Sequence, residues 1–179
     1  MKNISINLPK AAGAIVLAAY GAYCAFRPSE WHMLDGVNLV AHEAGHLLLA
    51  WFGQFIGIAG GTLGQLFVPA AFTVYFFLQQ AKYSSAVTLF WLGQSLVNVS
   101  VYAKDARAME LPLVSIGGGD VIHDWHWLLS EFGLLARDQL VGNCILAVGM
   151  AVMLAGVTAA FHASLQKPGG AEHPTGRMP

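Results

Sequence analysis

Five long apolar segments, separated by short polar stretches, dominate this 179-residue chain. The segments cover residues 11–26, 31–52, 63–78, 86–103 and 140–161. A helix needs about 20 mostly apolar residues to cross a bilayer. Only 11% of the residues are charged, whereas about a quarter are charged in an ordinary soluble domain. The sequence therefore predicts an all-α, polytopic membrane helix bundle of about five transmembrane helices.

The remaining segments define the organisation of the chain. Residues 1–162 form a single predicted transmembrane domain, and the Pro- and Gly-rich tail 163–179 is predicted to be disordered. Glycines between residues 57 and 64 interrupt the apolar pattern, which favours a turn at 60–64. The polar connection 104–139 contains apolar residues at helical spacing, which predicts a short amphipathic helix there.

Charge and cysteine content exclude several classes of function. The formal net charge is −1 and there is no basic patch, so we expect no nucleic-acid partner. Cys24 and Cys144 both lie in apolar segments, which argues against a disulfide framework and against a cysteine metal site. The predicted partners are the lipid bilayer and a membrane protein or peptide substrate, and the oligomeric state is left open.

The second apolar segment contains the sequence His42-Glu43-Ala44-Gly45-His46, an HExxH motif. On a helix the two histidines lie one turn apart on the same face, so both imidazoles can bind one metal ion. Glu43 lies beside them, where it can take a proton from the water molecule that attacks a substrate. Ionisable residues in a membrane helix are costly, and this favours a functional interpretation of the motif.

A hydrolytic zinc site needs a third protein ligand. The best source is the polar and aromatic stretch 120–127, from which we predict His123 as the ligand. Asp124 is an alternative ligand or an orienting partner for a histidine, and His126 is a further alternative. An interfacial role for this stretch is the other interpretation, because Trp125 and its neighbours suit a membrane boundary. For His123 to reach the metal, the 104–139 connection must fold back into the bundle.

The fourth apolar segment carries a polar stripe, consisting of Gln94, Asn98, Tyr102 and Asp105 on one helical face. In a functional interpretation the stripe is a wall of the site, with Asn98 binding the substrate backbone and Asp105 a possible ligand. In the alternative interpretation Gln94 and Asn98 make helix–helix hydrogen bonds, and Asp105 pairs with a basic neighbour.

Residues 38–46, Asn-Leu-Val-Ala-His-Glu-Ala-Gly-His, resemble the zinc-binding helix of the site-2 proteases, which are intramembrane metallopeptidases. The resemblance implies that His42 and His46 bind zinc and that Glu43 is the general base. It covers one helix out of about five. The family takes its third ligand from an Asn-Pro-x-x-x-Leu-Asp-Gly motif, which does not follow the HExxH here; a Leu-Asp-Gly at 34–36 precedes it. The chain thus looks like a small, divergent bacterial branch of that group, and an inner-membrane location is expected.

These observations predict an intramembrane zinc metallopeptidase that hydrolyses peptide bonds of a membrane or membrane-proximal substrate. Zn²⁺ is the expected cofactor, with His42, His46 and His123 as ligands and Glu43 as the catalytic base. Two alternatives remain at this point. One is a non-enzymatic membrane protein for metal binding or assembly. The other is a histidine-box di-iron oxygenase that uses His126 in addition.

Overall fold

The computed structural model describes residues 5–113 and 122–166, and it confirms an all-helical bundle. The helices in chain order are α1 (Leu8–Phe26), α2 (Asp35–Leu49), α3 (Gln54–Leu78), α4 (Lys82–Lys104), α5 (Asp124–Glu131) and α6 (Asp138–Ser164). Short 3₁₀ turns at Ala50–Phe52 and Leu135–Arg137 precede α3 and α6. The short helix predicted in the 104–139 connection is α5.

Four stretches in the described part of the chain are helical, long and apolar enough to cross a membrane: Leu8–Phe26, Gln54–Leu78, Lys82–Lys104 and Leu135–Ser164. The helix of the HExxH motif, α2, is shorter than the sequence predicts. It has 15 residues and ends at a 3₁₀ turn before Gly53, whose positive φ of 95° reverses the chain into α3. Helix α2 lacks the length of the four long helices and packs mainly against α3, and its outer face, with Val40 and Leu48, is exposed.

The prediction of a turn at 60–64 is wrong, because these glycines belong to α3. They allow α2 and α3 to touch backbone to backbone. A Cβ added at Gly60 would lie 2.8 Å from the carbonyl oxygen of Gly45, and one at Gly64 would lie 2.6 Å from the Cα of Gly45. Small residues permit close contact between membrane helices, so glycine here serves packing and not a turn.

Helices α4 and α6 make the most extensive pair in the bundle, and small residues again lie at their interface. Gly142, Gly149 and Gly156 recur every seven residues along α6 and face the α4 backbone. A Cβ at Gly149 would lie 2.9 Å from both the Gly93 carbonyl oxygen and the Val97 nitrogen. A seven-residue repeat keeps one seam facing the partner helix, as in a coiled coil.

The two ends of the described chain meet. Ser5–Ile6 pairs antiparallel with Leu165–Gln166, and Ile6 is in register with Leu165. The tail expected to be disordered from residue 163 is therefore ordered as far as residue 166. The rest of that prediction, residues 167–179, lies outside the described residues.

Candidate metal centre

The motif histidines lie together on the inner face of α2. His42 is buried, and the Nε2 atoms of His42 and His46 lie 3.1 Å apart. Asp124, the first residue of α5, brings its Oδ2 to 2.9 Å from His42 Nε2 and to 3.0 Å from His46 Nε2. Helix α5 of the 104–139 connection thus lies against the motif helix, as a third ligand from this region requires.

These three donor atoms form a nearly equilateral triangle with edges of 2.9, 3.0 and 3.1 Å. A tetrahedral zinc ion at about 2.0–2.1 Å from each donor requires edges of about 3.3 Å. Opening each edge by roughly 0.3 Å would accommodate the ion, with a fourth position left for water or substrate. Two imidazoles and one carboxylate therefore fit zinc in donor type, number and spacing.

The hydrogen bonding of His46 fixes which ring nitrogen is available. Its Nδ1 lies 2.8 Å from the carbonyl oxygen of Gly57, which can only accept, so Nδ1 carries the proton. In the neutral ring that binds a metal, Nε2 then holds a free lone pair directed towards His42 and Asp124, whereas in the protonated ring Nε2 donates to Asp124 Oδ2. Orientation of a metal-binding histidine by a backbone carbonyl is common at zinc sites.

Gly61 of α3 leaves room for the two imidazoles. A Cβ at this position would overlap the Nε2 atoms of both His42 and His46 and would lie 2.5 Å from His42 Cε1. The sequence analysis did not identify Gly61 as a site residue, because the glycines were interpreted as a turn. Its position shows that the absence of a side chain here makes space for the donor atoms.

Helix α4 positions Asp124 through Tyr102. The backbone N–H of Asp124 donates to the Tyr102 hydroxyl at 3.1 Å, and the tyrosine ring packs against His42 with its centroid 5.8 Å away. Burial raises the pKa of Asp124, but hydrogen bonds with His42 and His46 outweigh burial, so the pKa lies below its usual value. The carboxylate is therefore held in the charged form that a cation prefers.

His123, the ligand expected from the sequence, has both ring nitrogens in other contacts. As the N-cap of α5, its Nδ1 accepts from the backbone N–H of His126 at 3.1 Å, and its Nε2 lies 3.2 Å from Asp105 Oδ2. His126 Nδ1 lies 2.7 Å from the carbonyl oxygen of Ala106. Asp105 also accepts from the backbone N–H groups of Glu110 and Leu111, which follow α4, so these three predicted site residues support the fold of the connection.

Glu43 lines a cavity of about 640 Å³ together with His42, His46 and Asp124. The cavity extends from the residues before α2 to the end of α4, and its other lining includes Trp31, Leu39, Val101 and Leu111. Glu43 is half-buried at its edge. A carboxylate beside the donor triangle and open to a cavity is suitably placed for proton transfer to a molecule in that cavity.

Asn98, predicted to bind substrate, lines the same cavity, and its Oδ1 accepts from Gln65 Nε2 at 2.9 Å. Gln94 has a different role. Its Nε2 donates to Asp35 and its Oε1 accepts from Asn38 Nδ2, both at 2.8 Å and both buried. This hydrogen bonding, the alternative interpretation for Gln94, ties α2 to α4 and fixes the rotation of the motif helix.

Comparison of the chain with protein families, with curated proteins and with solved structures finds no match. The site is therefore interpreted from its own geometry. The fold and the site together define the class of protein. It is a helical bundle that carries a candidate metal centre made by His42, His46 and Asp124, and four helices in its described part are long and apolar enough to span a membrane.

Proposed function

We propose that this protein is an intramembrane zinc-dependent metallopeptidase, with His42, His46 and Asp124 as the zinc ligands and Glu43 as the general base. The observation that carries the proposal is the donor triangle, which shares one cavity with a carboxylate. The HExxH spacing supplies two ligands and a base, and the folded-back helix α5 supplies a carboxylate as the third ligand.

Zinc, when bound, lowers the pKa of water and polarises a carbonyl group. Glu43 accepts the proton of the attacking water and returns it to the nitrogen of the leaving amine, because a peptide nitrogen leaves only after protonation. Tyr102 and Gly57 hold Asp124 and His46 in place during these steps. The cavity holds the substrate segment beside Glu43.

The proposed substrate is a membrane protein or peptide, and the proposed location is the bacterial inner membrane. Support comes from the four helices in the described part of the chain that are long and apolar enough to cross a membrane. A di-iron oxygenase would need His123 and His126 as further ligands, but both ring nitrogens of His123 and the Nδ1 of His126 lie in other contacts. We therefore do not extend that alternative.

The test uses the full chain in nanodiscs, loaded with zinc, and a panel of membrane-spanning peptides that carry a fluorophore and a quencher. We expect zinc-dependent cleavage by the parent and none by Glu43→Gln, which keeps its zinc. Glu131→Gln is the matched control, because Glu131 is exposed at the end of α5. Cleavage by zinc-loaded Glu43→Gln would remove Glu43 from its role. Bound zinc without cleavage of any peptide would support the non-enzymatic alternative.

A further inference from the structure

Two amide side chains, one from α3 and one from α4, form a polar pair in the cavity wall. Gln65 of α3 donates from Nε2 to Asn98 Oδ1 of α4 at 2.9 Å, and the same Nε2 lies 3.4 Å from the carbonyl oxygen of Ser95. Gln65 is only 3% exposed. Both residues line the cavity that contains Glu43. We call this pair, Gln65 and Asn98, the amide clamp.

The Ser95 contact determines the orientation of both amides. A backbone carbonyl only accepts, so the Gln65 atom beside it is the NH₂ group. The Asn98 atom that faces this NH₂ group must then be the oxygen. Gln65 Oε1 and Asn98 Nδ2 are consequently the two atoms directed away from the pair.

These two atoms are available to a ligand. Among the described residues none bonds to Gln65 Oε1 or to Asn98 Nδ2, and both side chains belong to residues that line the cavity. One is an acceptor and the other is a donor. One residue of an extended strand offers the complementary pair, because its own N–H and C=O point to the same side. A peptide in a regular helix has both groups satisfied internally, so only a locally unwound segment can present them.

The clamp lies one helical turn from the metal centre on both helices. Gln65 follows Gly61, which faces the two imidazoles, by four residues, and Asn98 precedes Tyr102, which contacts His42 and Asp124, by four residues. Four residues of helix span about 6 Å, and an extended peptide advances about 3.3 Å per residue. The clamped residue is thus about two residues from the centre.

We propose that the amide clamp binds the backbone N–H and C=O of one residue of an unwound substrate, about two residues from the bond that is cleaved. Asn98 Nδ2 donates to the substrate carbonyl, and Gln65 Oε1 accepts the substrate N–H. The ligand class is an extended polypeptide backbone, recognised independently of side chains. This inference rests on the proposed peptidase function and specifies how the substrate is held.

The first test measures binding without cleavage, using zinc-loaded Glu43→Gln protein in nanodiscs. The probes are membrane-spanning peptides labelled with a fluorophore and carrying central glycines that favour unwinding. Gln65→Met and Asn98→Leu, added singly to this protein, remove the polar atoms at similar volume. Each is expected to weaken the Kd roughly 3- to 10-fold, the effect of one lost hydrogen bond. Gln54→Met and Asn143→Leu, at exposed positions of α3 and α6, are the matched controls and should bind normally.

The second test leaves the protein fold untouched by changing the peptide. Single amides of the best-binding peptide are replaced by esters, which removes one N–H at a time. One ester position, about two residues from the cleaved bond, should weaken binding to the Glu43→Gln protein. In the Gln65→Met background the same ester should cause no further loss, because the acceptor is already absent. Thermal unfolding of each variant verifies that the bundle is intact.

The outcomes separate this inference from the proposed function. Equal Kd values for the clamp variants and their controls, or the same ester profile in both backgrounds, would overturn the clamp even if the parent cleaves the peptides. Absence of binding by every peptide would also overturn it. Binding with the expected ester dependence, but without cleavage by the parent, would uphold the clamp and refute the peptidase.

Discussion

Replacing Gly61 by alanine tests the architecture of the candidate metal centre without removing any donor atom. The new Cβ would overlap the Nε2 atoms of both histidines and would lie 2.5 Å from His42 Cε1, whereas ordinary contacts begin at 3.4 Å. The His42 ring therefore has to move by at least about 0.9 Å before Cε1 reaches ordinary contact, and Nε2 lies closer still. Functional metal sites tolerate deviations of about 0.2 Å in ligand distance, so the zinc site should lose its geometry.

We expect Gly61→Ala to weaken zinc binding by about 100-fold or more, equivalent to about 2.7 kcal/mol. Competition with a chromophoric chelator in detergent or nanodiscs measures this change. Gly36→Ala is the matched control, because Gly36 lies on the motif helix and nothing is within 4 Å of its added Cβ. The control should keep its zinc affinity and gain up to about 1 kcal/mol in stability from the better helix propensity of alanine.

The reasoning is refuted if Gly61→Ala binds zinc as tightly as the parent and unfolds at the same temperature. That result would mean that the α3 backbone does not lie over the imidazoles. A lower Tm with normal zinc affinity in the folded fraction would also count against the reasoning. It would mean that Gly61 is needed for helix packing and not for the geometry of the metal centre.

Three further predictions follow from the structure. Asp124→Asn should weaken zinc binding strongly, since it removes the charged ligand. His123→Gln should retain one zinc per chain, because His123 contacts Asp105 and not the metal centre. A zinc titration in which His123→Gln binds more weakly than Asp124→Asn would make His123 the ligand. Gly149→Val should destabilise the bundle by about 1–3 kcal/mol, because its side chain overpacks the contact between α4 and α6. Ala147→Val, at an exposed position of α6, should leave the Tm unchanged. Equal Tm values for the two variants would contradict the close contact. Glu43→Gln should lower the cleavage rate of a peptide roughly 10²- to 10⁴-fold with unchanged zinc content. A smaller decrease in the rate, measured by stopping the reaction at fixed times, would argue against Glu43 as the general base.

Hydropathy alone predicts much of the fold, because lipid requires long apolar segments whose backbone is satisfied within the helix. It fails at the glycines of α3. In water a glycine cluster favours a turn, but in a bundle the same residues allow the backbones of α2 and α3 to meet. Which effect dominates depends on the neighbouring helix, and the local sequence does not contain that information.

The candidate site, like the fold, is predictable from the sequence only in part. Four-residue spacing is sufficient to bring His42 and His46 together, since it is a property of any helix. His123 and Asp124 are adjacent, and their roles depend on where α5 begins: His123 caps the helix and Asp124 is its first residue. Gln65 was missed although a signal was present. It is a lone amide in an apolar segment, and the argument applied to Asn98 applies equally to it.

The close contact between α2 and α3 adds a residue requirement to the HExxH motif when the motif is used to search for related chains. The second variable position of the motif, Gly45, touches the backbone of Gly60 and Gly64, so a side chain there would separate the helices. Gly45 takes no part in the chemistry, but its residue type is as restricted as that of the ligands. Related chains should be recognisable by a composite signature, His-Glu-x-Gly-His followed fifteen residues after its glycine by Gly-Gly-x-x-Gly, even where little else in the sequences agrees.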